Sequence, residues 1–394
     1  MANRVRVAVN GYGVIGKRVA DAVYLQDDMD LIGVSDVTED YRIRVAAERG
    51  YPIYASVPER RSSMEDAGIP VDGTLQDLLR EVDVVVDCTP KGIGAKNKPM
   101  YEEAGVRAIF QGGEKHELAG VSFTAQVNYG DALNKQFARV VSCNTTGLCR
   151  VLNPFQKRGW VKRARAVLMR RATDPWESQE DGMINTAVPE TKVPSHQGPD
   201  AQTVMKDLDI TTLAGAGPYN LSHLHFLMIE TSSPLELHEV RQALVEEPRI
   251  AFIHESNGIV ALNSTIELMR DLNRPRNDMW EVGLWEDAIA VDEHDVYLTF
   301  QVHNESIAIP ENVDCIRSLT GIETNGMVSI DKTNIALGIV KNYLPVTMHD
   351  EALHEAAQEM EAQRRVHMEM GFKGREEPAE AEPTPEQEER RRTA

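Results

Sequence analysis

Val5-Arg6-Val7-Ala8-Val9 alternates apolar residues with a charged one, a strand pattern, and helical spacing follows from Lys17 to Gln26. A second strand is predicted from Met29 to Val34 and ends near Asp36. Val82-Asp83-Val84-Val85-Val86-Asp87 reads as a strand buried in a parallel sheet. Ala108-Ile109-Phe110 then runs into Gln111-Gly112-Gly113. Strand and helix signals thus alternate from residue 1 to about residue 142, the pattern of a doubly wound α/β unit. After Cys143 the pattern changes. A helix is predicted from Gly147 to about Lys157. Longer alternating strands follow at 164–170, 221–231 and 296–302, expected to form one broad, mostly antiparallel sheet. Helical spacing returns from about Asn312. Residues 346–372 read as a C-terminal helix rich in Glu, Gln and Ala, and 373–394 as a disordered acidic tail.

The chain has 394 residues, enough for two domains, and 42% of them are hydrophobic. No apolar run approaches the ~20 residues that span a membrane. The polar N-terminus leads straight into a strand, so no signal peptide is expected. Four scattered cysteines without a Cys-x-x-Cys pair argue against a disulfide framework and for a reducing, cytoplasmic setting. The net charge of −20 repels nucleic acid and anionic membranes, which excludes both as expected partners. With 29 arginines to 13 lysines, the acidic, lysine-poor composition also suits a salt-rich cytoplasm, so a halophilic source is expected.

Two motifs carry chemistry. Gly11-Tyr12-Gly13-Val14-Ile15-Gly16 follows the first strand and opens the first helix, the context in which G-x-G-x-x-G binds a dinucleotide. Gly11 permits the tight turn, and Gly13 lets backbone N–H groups reach a pyrophosphate. Gly16 lets helix and strand pack closely, and the helix N-terminus favours the anion. Asp36 stands where an acid accepts hydrogen bonds from ribose hydroxyls. It would repel a 2′-phosphate, so NAD is the expected cofactor, with NADP the alternative. The second motif is Ser142-Cys143-Asn144-Thr145-Thr146. A cysteine in this polar, turn-forming setting reads as a nucleophile whose neighbours can point at an oxyanion. Such a thiol needs an activating base or cation. His223 and His225 flank Leu224 in a predicted strand and so share one face. His-x-His is also half of a metal site, but no third ligand stands at a sensible spacing, and no metal is expected.

Together with Phe110-Gln111-Gly112-Gly113-Glu114-Lys115, Arg170-Arg171-Ala172, Val193-Pro194-Ser195-His196, His223-Leu224-His225-Phe226 and Glu305-Ser306, these motifs resemble the archaeal-type phosphorylating glyceraldehyde-3-phosphate dehydrogenases as far as about Leu344. The resemblance implies a Rossmann dinucleotide-binding domain, residues 1–142 with 306–345, and an α+β catalytic domain, 143–305. It implies the reversible oxidation of D-glyceraldehyde 3-phosphate with inorganic phosphate, through a thiohemiacetal and thioester on Cys143. By the same resemblance His223 is the general base. Gly112, Arg171 and Asn304 lie at the cofactor. Ser142, Asn144, Arg170, His196 and Gln197 lie at the substrate, and the enzyme is a homotetramer. Gln197 and Asn304 replace residues common in relatives, a second histidine and a glutamine. His225 remains open between a core and a supporting role, and Arg170 between phosphate and a surface ion pair. Two other readings stand beside this one: another Cys/His semialdehyde dehydrogenase of similar plan, and a non-enzymatic cofactor-binding protein.

Overall fold

The computed structural model describes residues 4–111, 113–178 and 182–344. Gly112 and the predicted C-terminal helix and tail therefore lie outside the described residues. The chain builds two sheets. The first comprises β1 Val5–Asn10, β2 Met29–Asp36, β3 Ile53–Ala55, β4 Gly73–Thr74, β5 Val84–Asp87, β6 Arg107–Phe110, β7 Ser122–Phe123 and β8 Phe137–Val140. Their order is β4-β3-β2-β1-β5-β6-β8-β7, and every pairing is parallel. All C-terminal strand ends therefore share one edge. The strand order reverses between β1 and β5, which opens a crevice at that edge.

The second sheet comprises β9 Val161–Arg171, β10 Val188–Pro189, β11 Ile210–Gly217, β12 His223–Thr231, β13 Ile250–Ile253, β14 Val282–Trp285, β15 Ala290–Asp292 and β16 Asp295–Val302. It is mixed. The pairs β9–β11 and β13–β14 run parallel, and the other pairings are antiparallel, as the alternating pattern predicts. The expected strand at 221–231 starts later, at His223, because Leu221 and Ser222 form a turn in which Ser222 has φ 68°.

The helix expected from Gly147 begins instead at Cys143 and runs to Gln156. The cause is local. Ser142 is its N-cap and accepts a hydrogen bond from the Thr145 N–H, so the helix starts one residue after the cap. Cys143 is thus the first residue of a helix, three residues beyond the end of β8. This helix lies on the face of the second sheet that carries Phe300 and Val302. Gly147 makes the contact possible: a Cβ there would stand 2.6 Å from Val302 Cγ1.

The helix Ile309–Thr320 returns to the first sheet. Its Ile309, Val313, Ile316 and Leu319 join the core of Val7, Val9, Val84, Val86 and Ile109. Its opposite side reaches Arg150 of the Cys143 helix. Glu311 Oε1 accepts from Arg150 Nη2 at 2.5 Å and Arg249 Nη1 at 3.0 Å, and all three side chains are fully buried. Glu311 Oε2 also accepts from the Ala125 N–H at 2.6 Å. Replacing Glu311 by Gln would leave two buried guanidiniums without that charge. Glu311→Gln is expected to lower stability by ~3–5 kcal/mol, read as a fall in the urea midpoint; an unchanged midpoint would show that the network contributes nothing.

Candidate active site

The C-terminal end of β1 builds the cradle that the first motif predicts. Gly11 has φ +91°, and a Cβ there would come within 3.0 Å of the Cys88 carbonyl and the Thr89 nitrogen. A Cβ on Gly16 would stand 1.7 Å from the Gly11 oxygen, so only glycine lets the helix Val14–Tyr24 lie so close. A Cβ on Gly13 would meet open space. The first turn of that helix, including Val14 and Ile15, receives no side-chain cap, which leaves its N–H groups free for an anion. Asp36 closes β2 beside this turn. Its Oδ2 accepts from the Tyr12 N–H at 2.6 Å and its Oδ1 from Val37 N–H at 2.7 Å and Thr38 N–H at 3.1 Å. The residues present fit a dinucleotide: an anion-ready helix end, an open approach at Gly13 and a fixed carboxylate one strand away.

Cys143 and His223 come together from separate elements. Cys143 Sγ lies 3.3 Å from His223 Nε2. The other ring nitrogen, Nδ1, accepts a hydrogen bond from the Arg171 N–H at 3.1 Å. A neutral ring held in this way carries its proton on Nε2, directed at Sγ. Protonating Nδ1 would set two donors against each other. Burial, with His225, Arg171 and Arg170 nearby, accordingly holds His223 well below the usual histidine range. Burial also pushes the Cys143 thiol up to about 11, against the pull of Arg171. The ligand-free pair is thus a thiol beside a neutral imidazole.

The anion candidates are paired with carboxylates. Arg171 Nη2 lies 2.7 Å from Asp174 Oδ1, and Arg170 Nη2 lies 3.3 Å from Glu190 Oε2. His196 is exposed, with Nδ1 3.3 Å from Glu190 Oε1, while its neighbour Gln197 is fully buried and accepts from Ser195 Oγ at 2.6 Å. The two adjacent residues therefore face different environments. Asn304 is engaged at both ends of its amide: Oδ1 accepts from the Ser222 N–H at 3.0 Å and Nδ2 donates to Asp174 at 3.1 Å. It clamps the turn that leads into His223. Beyond Arg171 the chain runs on to Trp176, which packs against the helix Tyr41–Glu48 that follows Asp36. Its ring lies 5.6 Å from that of Tyr41 and 4.9 Å from the Arg42 guanidinium.

Sequence reasoning missed Asp174 and Asp200. Asp200 takes Thr145 Oγ1 at 2.7 Å and Arg139 Nη2 at 2.7 Å, and so anchors the first turn of the helix that begins with the nucleophile. The one signal available for it was the buried arginine in the strand run Arg139-Val140-Val141, which required a partner. Among the described residues, no group of three His, Cys, Asp or Glu side chains could hold a metal ion, and no helix is long and apolar enough to cross a membrane.

The chain is similar to known proteins along most of its length. The family profile described as "Glyceraldehyde 3-phosphate dehydrogenase, C-terminal domain" matches residues 142–279, and "Dihydrodipicolinate reductase, N-terminus" matches residues 5–125. Glyceraldehyde-3-phosphate dehydrogenase of Methanobacterium bryantii is 49% identical over 85% of this chain and 99% of its own length. The protein of that name from Methanothermobacter thermautotrophicus is 48% identical over 85% of this chain and all of its own length. Among solved structures, aspartate semialdehyde dehydrogenase II of Vibrio cholerae superposes with a TM-score of 0.58. It covers 81% of this chain and 99% of its own at 13% identity, a likeness of fold alone.

The protonation state of the pair is testable in the ligand-free protein. Alkylation of Cys143 by iodoacetamide, corrected with Cys143→Ser, is expected to rise about tenfold per pH unit from neutral pH upward, since only the thiolate reacts. The rise would slow only near the thiol value of about 11. A plateau reached near neutral pH would instead reveal a thiolate–imidazolium pair.

Proposed function

The chain belongs to the glyceraldehyde-3-phosphate dehydrogenase family, and on that premise we propose that it oxidises D-glyceraldehyde 3-phosphate to 1,3-bisphosphoglycerate, reversibly and with inorganic phosphate. The observation that carries this reading is the 3.3 Å approach of Cys143 Sγ to His223 Nε2, beyond the edge of a parallel sheet that holds the dinucleotide cradle. Sγ adds to the aldehyde carbon, and the adduct loses hydride to leave a thioester on Cys143. The bound nicotinamide supplies the hydride acceptor. Phosphate then attacks the thioester and releases the acyl phosphate.

The roles follow from position. Gly11, Gly13, Val14, Ile15 and Gly16 would hold the pyrophosphate and Asp36 the adenosine ribose, which favours NAD over NADP. Gly112 belongs by resemblance to the same cofactor set. Arg171, whose charge pulls on the Cys143 thiol, and Asn304, which holds the turn before His223, complete the proposed cofactor set. Arg170, Ser142, Asn144, His196 and Gln197 form the substrate set. Arg170 and Arg171 would exchange Glu190 and Asp174 for phosphate, and the exposed His196 would do the same. By resemblance His223 is the general base; to take the thiol proton at Nε2 its ring must carry its own proton on Nδ1, which parts that nitrogen from the Arg171 N–H. The division proposed is 1–142 with 306–345 for the cofactor domain and 143–305 for the catalytic domain.

We further propose a homotetramer in a salt-rich cytoplasm. The strand register sets Met169, Leu213, Phe226 and Tyr297 on one face of the second sheet, opposite His223 and His225. All four side chains are exposed, which suits contact with another copy. Phe226→Glu is expected to lower the mass measured by light scattering while the monomer stays folded; an unchanged mass would exclude this face as an interface.

The function is tested by nicotinamide reduction with glyceraldehyde 3-phosphate in molar salt, with and without phosphate. Phosphate-dependent reduction is expected, with Cys143→Ser slower by on the order of 10⁵-fold. Reduction independent of phosphate would sink the phosphorylating assignment. Faster reduction of NADP than of NAD would overturn the reading of Asp36.

A further inference from the structure

His225 has no place in the chemistry above, yet it is fully buried on the same strand face as His223. Its ring meets Phe300 edge-on at 4.6 Å and 87°, against the helix that carries Cys143. Its Nε2 lies 2.8 Å from Asn144 Oδ1, and the Asn144 Nδ2 lies 3.9 Å from Cys143 Sγ. Three side chains thus run in line from the sheet to the nucleophile.

The chemistry of each atom sets the direction of this line. An amide oxygen only accepts, so His225 Nε2 carries the proton. His225 Nδ1 has no partner, and a bare acceptor is a more tolerable buried orphan than an N–H. Burial pushes His225 down to about 3, so the ring is neutral at any working pH. With Oδ1 taken by His225, the amide must turn its Nδ2 toward Sγ. The other polar side chains of this turn are committed elsewhere. Thr145 Oγ1 donates to Asp200 at 2.7 Å, and Thr146 Oγ1 donates to the Val141 carbonyl at 3.4 Å.

We propose that His225 is a positioning residue. Its Nε2–H fixes the Asn144 amide so that Nδ2 donates to the oxygen that becomes negative when Cys143 adds to the aldehyde. In that step the thiol gives its proton to His223 Nε2, the sulfur electron pair forms the S–C bond, and the C=O π pair moves onto oxygen. When hydride leaves carbon with its electron pair, C=O re-forms and the cofactor is reduced. Phosphate attack on the thioester creates a second oxyanion at the same place. Its collapse breaks the C–S bond and returns the pair to Sγ. Asn144 serves both oxyanions, and His223 Nε2 lies 3.3 Å from the same sulfur. The inference rests on the proposed dehydrogenase reaction and adds to it the group that orients its oxyanion donor.

The test combines kinetics with a measurement that needs no turnover. Asn144→Ala is expected to lower kcat by roughly 10²-fold with little change in KM, the scale of losing one oxyanion donor. His225→Leu is expected to lower kcat by about tenfold or more, and His225→Gln, which keeps an N–H donor, to restore most of it. The double variant Asn144→Ala/His225→Leu is expected to be no slower than Asn144→Ala alone, because His225 acts only through Asn144. Multiplied losses, or a His225→Leu enzyme that merely melts earlier at unchanged kcat, would overturn the proposal. ¹⁵N NMR of His225 in the ligand-free protein should find a proton on Nε2 and none on Nδ1, with the Nε2–H shift moved by Asn144→Ala. A proton on Nδ1 would overturn the proposal whatever the substrate. A wild-type protein that reduces no cofactor but shows the Nε2–H coupling would count against the dehydrogenase reading and leave the relay standing.

Discussion

The buried carboxylate of Glu311 is the ion-pair centre that joins the nucleophile's helix, the start of β13 and the helix Ile309–Thr320. It faces two guanidiniums where all three side chains are fully buried, and each of the three charges is tolerable there only while the others are present. Arg150 belongs to the helix that begins with the nucleophile, Arg249 to the start of β13, and Glu311 to the helix that completes the core of the cofactor sheet. Arg249 continues the chain of charges to Asp314, whose Oδ1 takes Ser329 and Thr333 hydroxyls. A second link, Arg18 held by Asp278 and Glu305, ties the helix of the glycine-rich turn to the catalytic side. Apolar packing alone would tolerate small slides between the two sheets. Paired buried charges do not, because a slide that parts them leaves each uncompensated.

That rigidity suits the chemistry. The thiol and imidazole meet from two elements that share no backbone hydrogen bond. The helix start is set by Ser142, the strand by its register, and their spacing by the missing side chain of Gly147. The same contact brings His225 under Asn144. One sheet face therefore supplies both the group that meets the sulfur and the group that orients its neighbour.

Much of this was legible in the sequence, for reasons that differ by element. Period-two and helical spacing report burial, so the cofactor sheet and the long strands of the second sheet could be read. The glycine motif encodes a backbone shape, and the structure gives Gly11 and Gly16 the contacts that only glycine allows. The helix at Cys143 was read four residues late, because its start depends on a serine side chain bonding back to the chain and not on hydrophobic spacing. The roles of Asn304, Asp174 and Asp200 were not legible, since their partners are remote in sequence: 82 residues separate Asn304 from Ser222, and 55 separate Asp200 from Thr145. Gln197, expected by resemblance at the substrate, lies fully buried against Ser195, and no periodic pattern in that stretch signals its burial.

The segment 171–177 has a consequence of its own. It begins at the peptide that holds His223, passes through the carboxylate that binds Arg171 and Asn304, and ends with an indole resting on the helix beyond Asp36. One short piece of chain thus reaches from the backbone N–H that orients the imidazole to the helix Tyr41–Glu48, so a substitution on the outer face of that helix has a short covalent route to the nucleophile's partner.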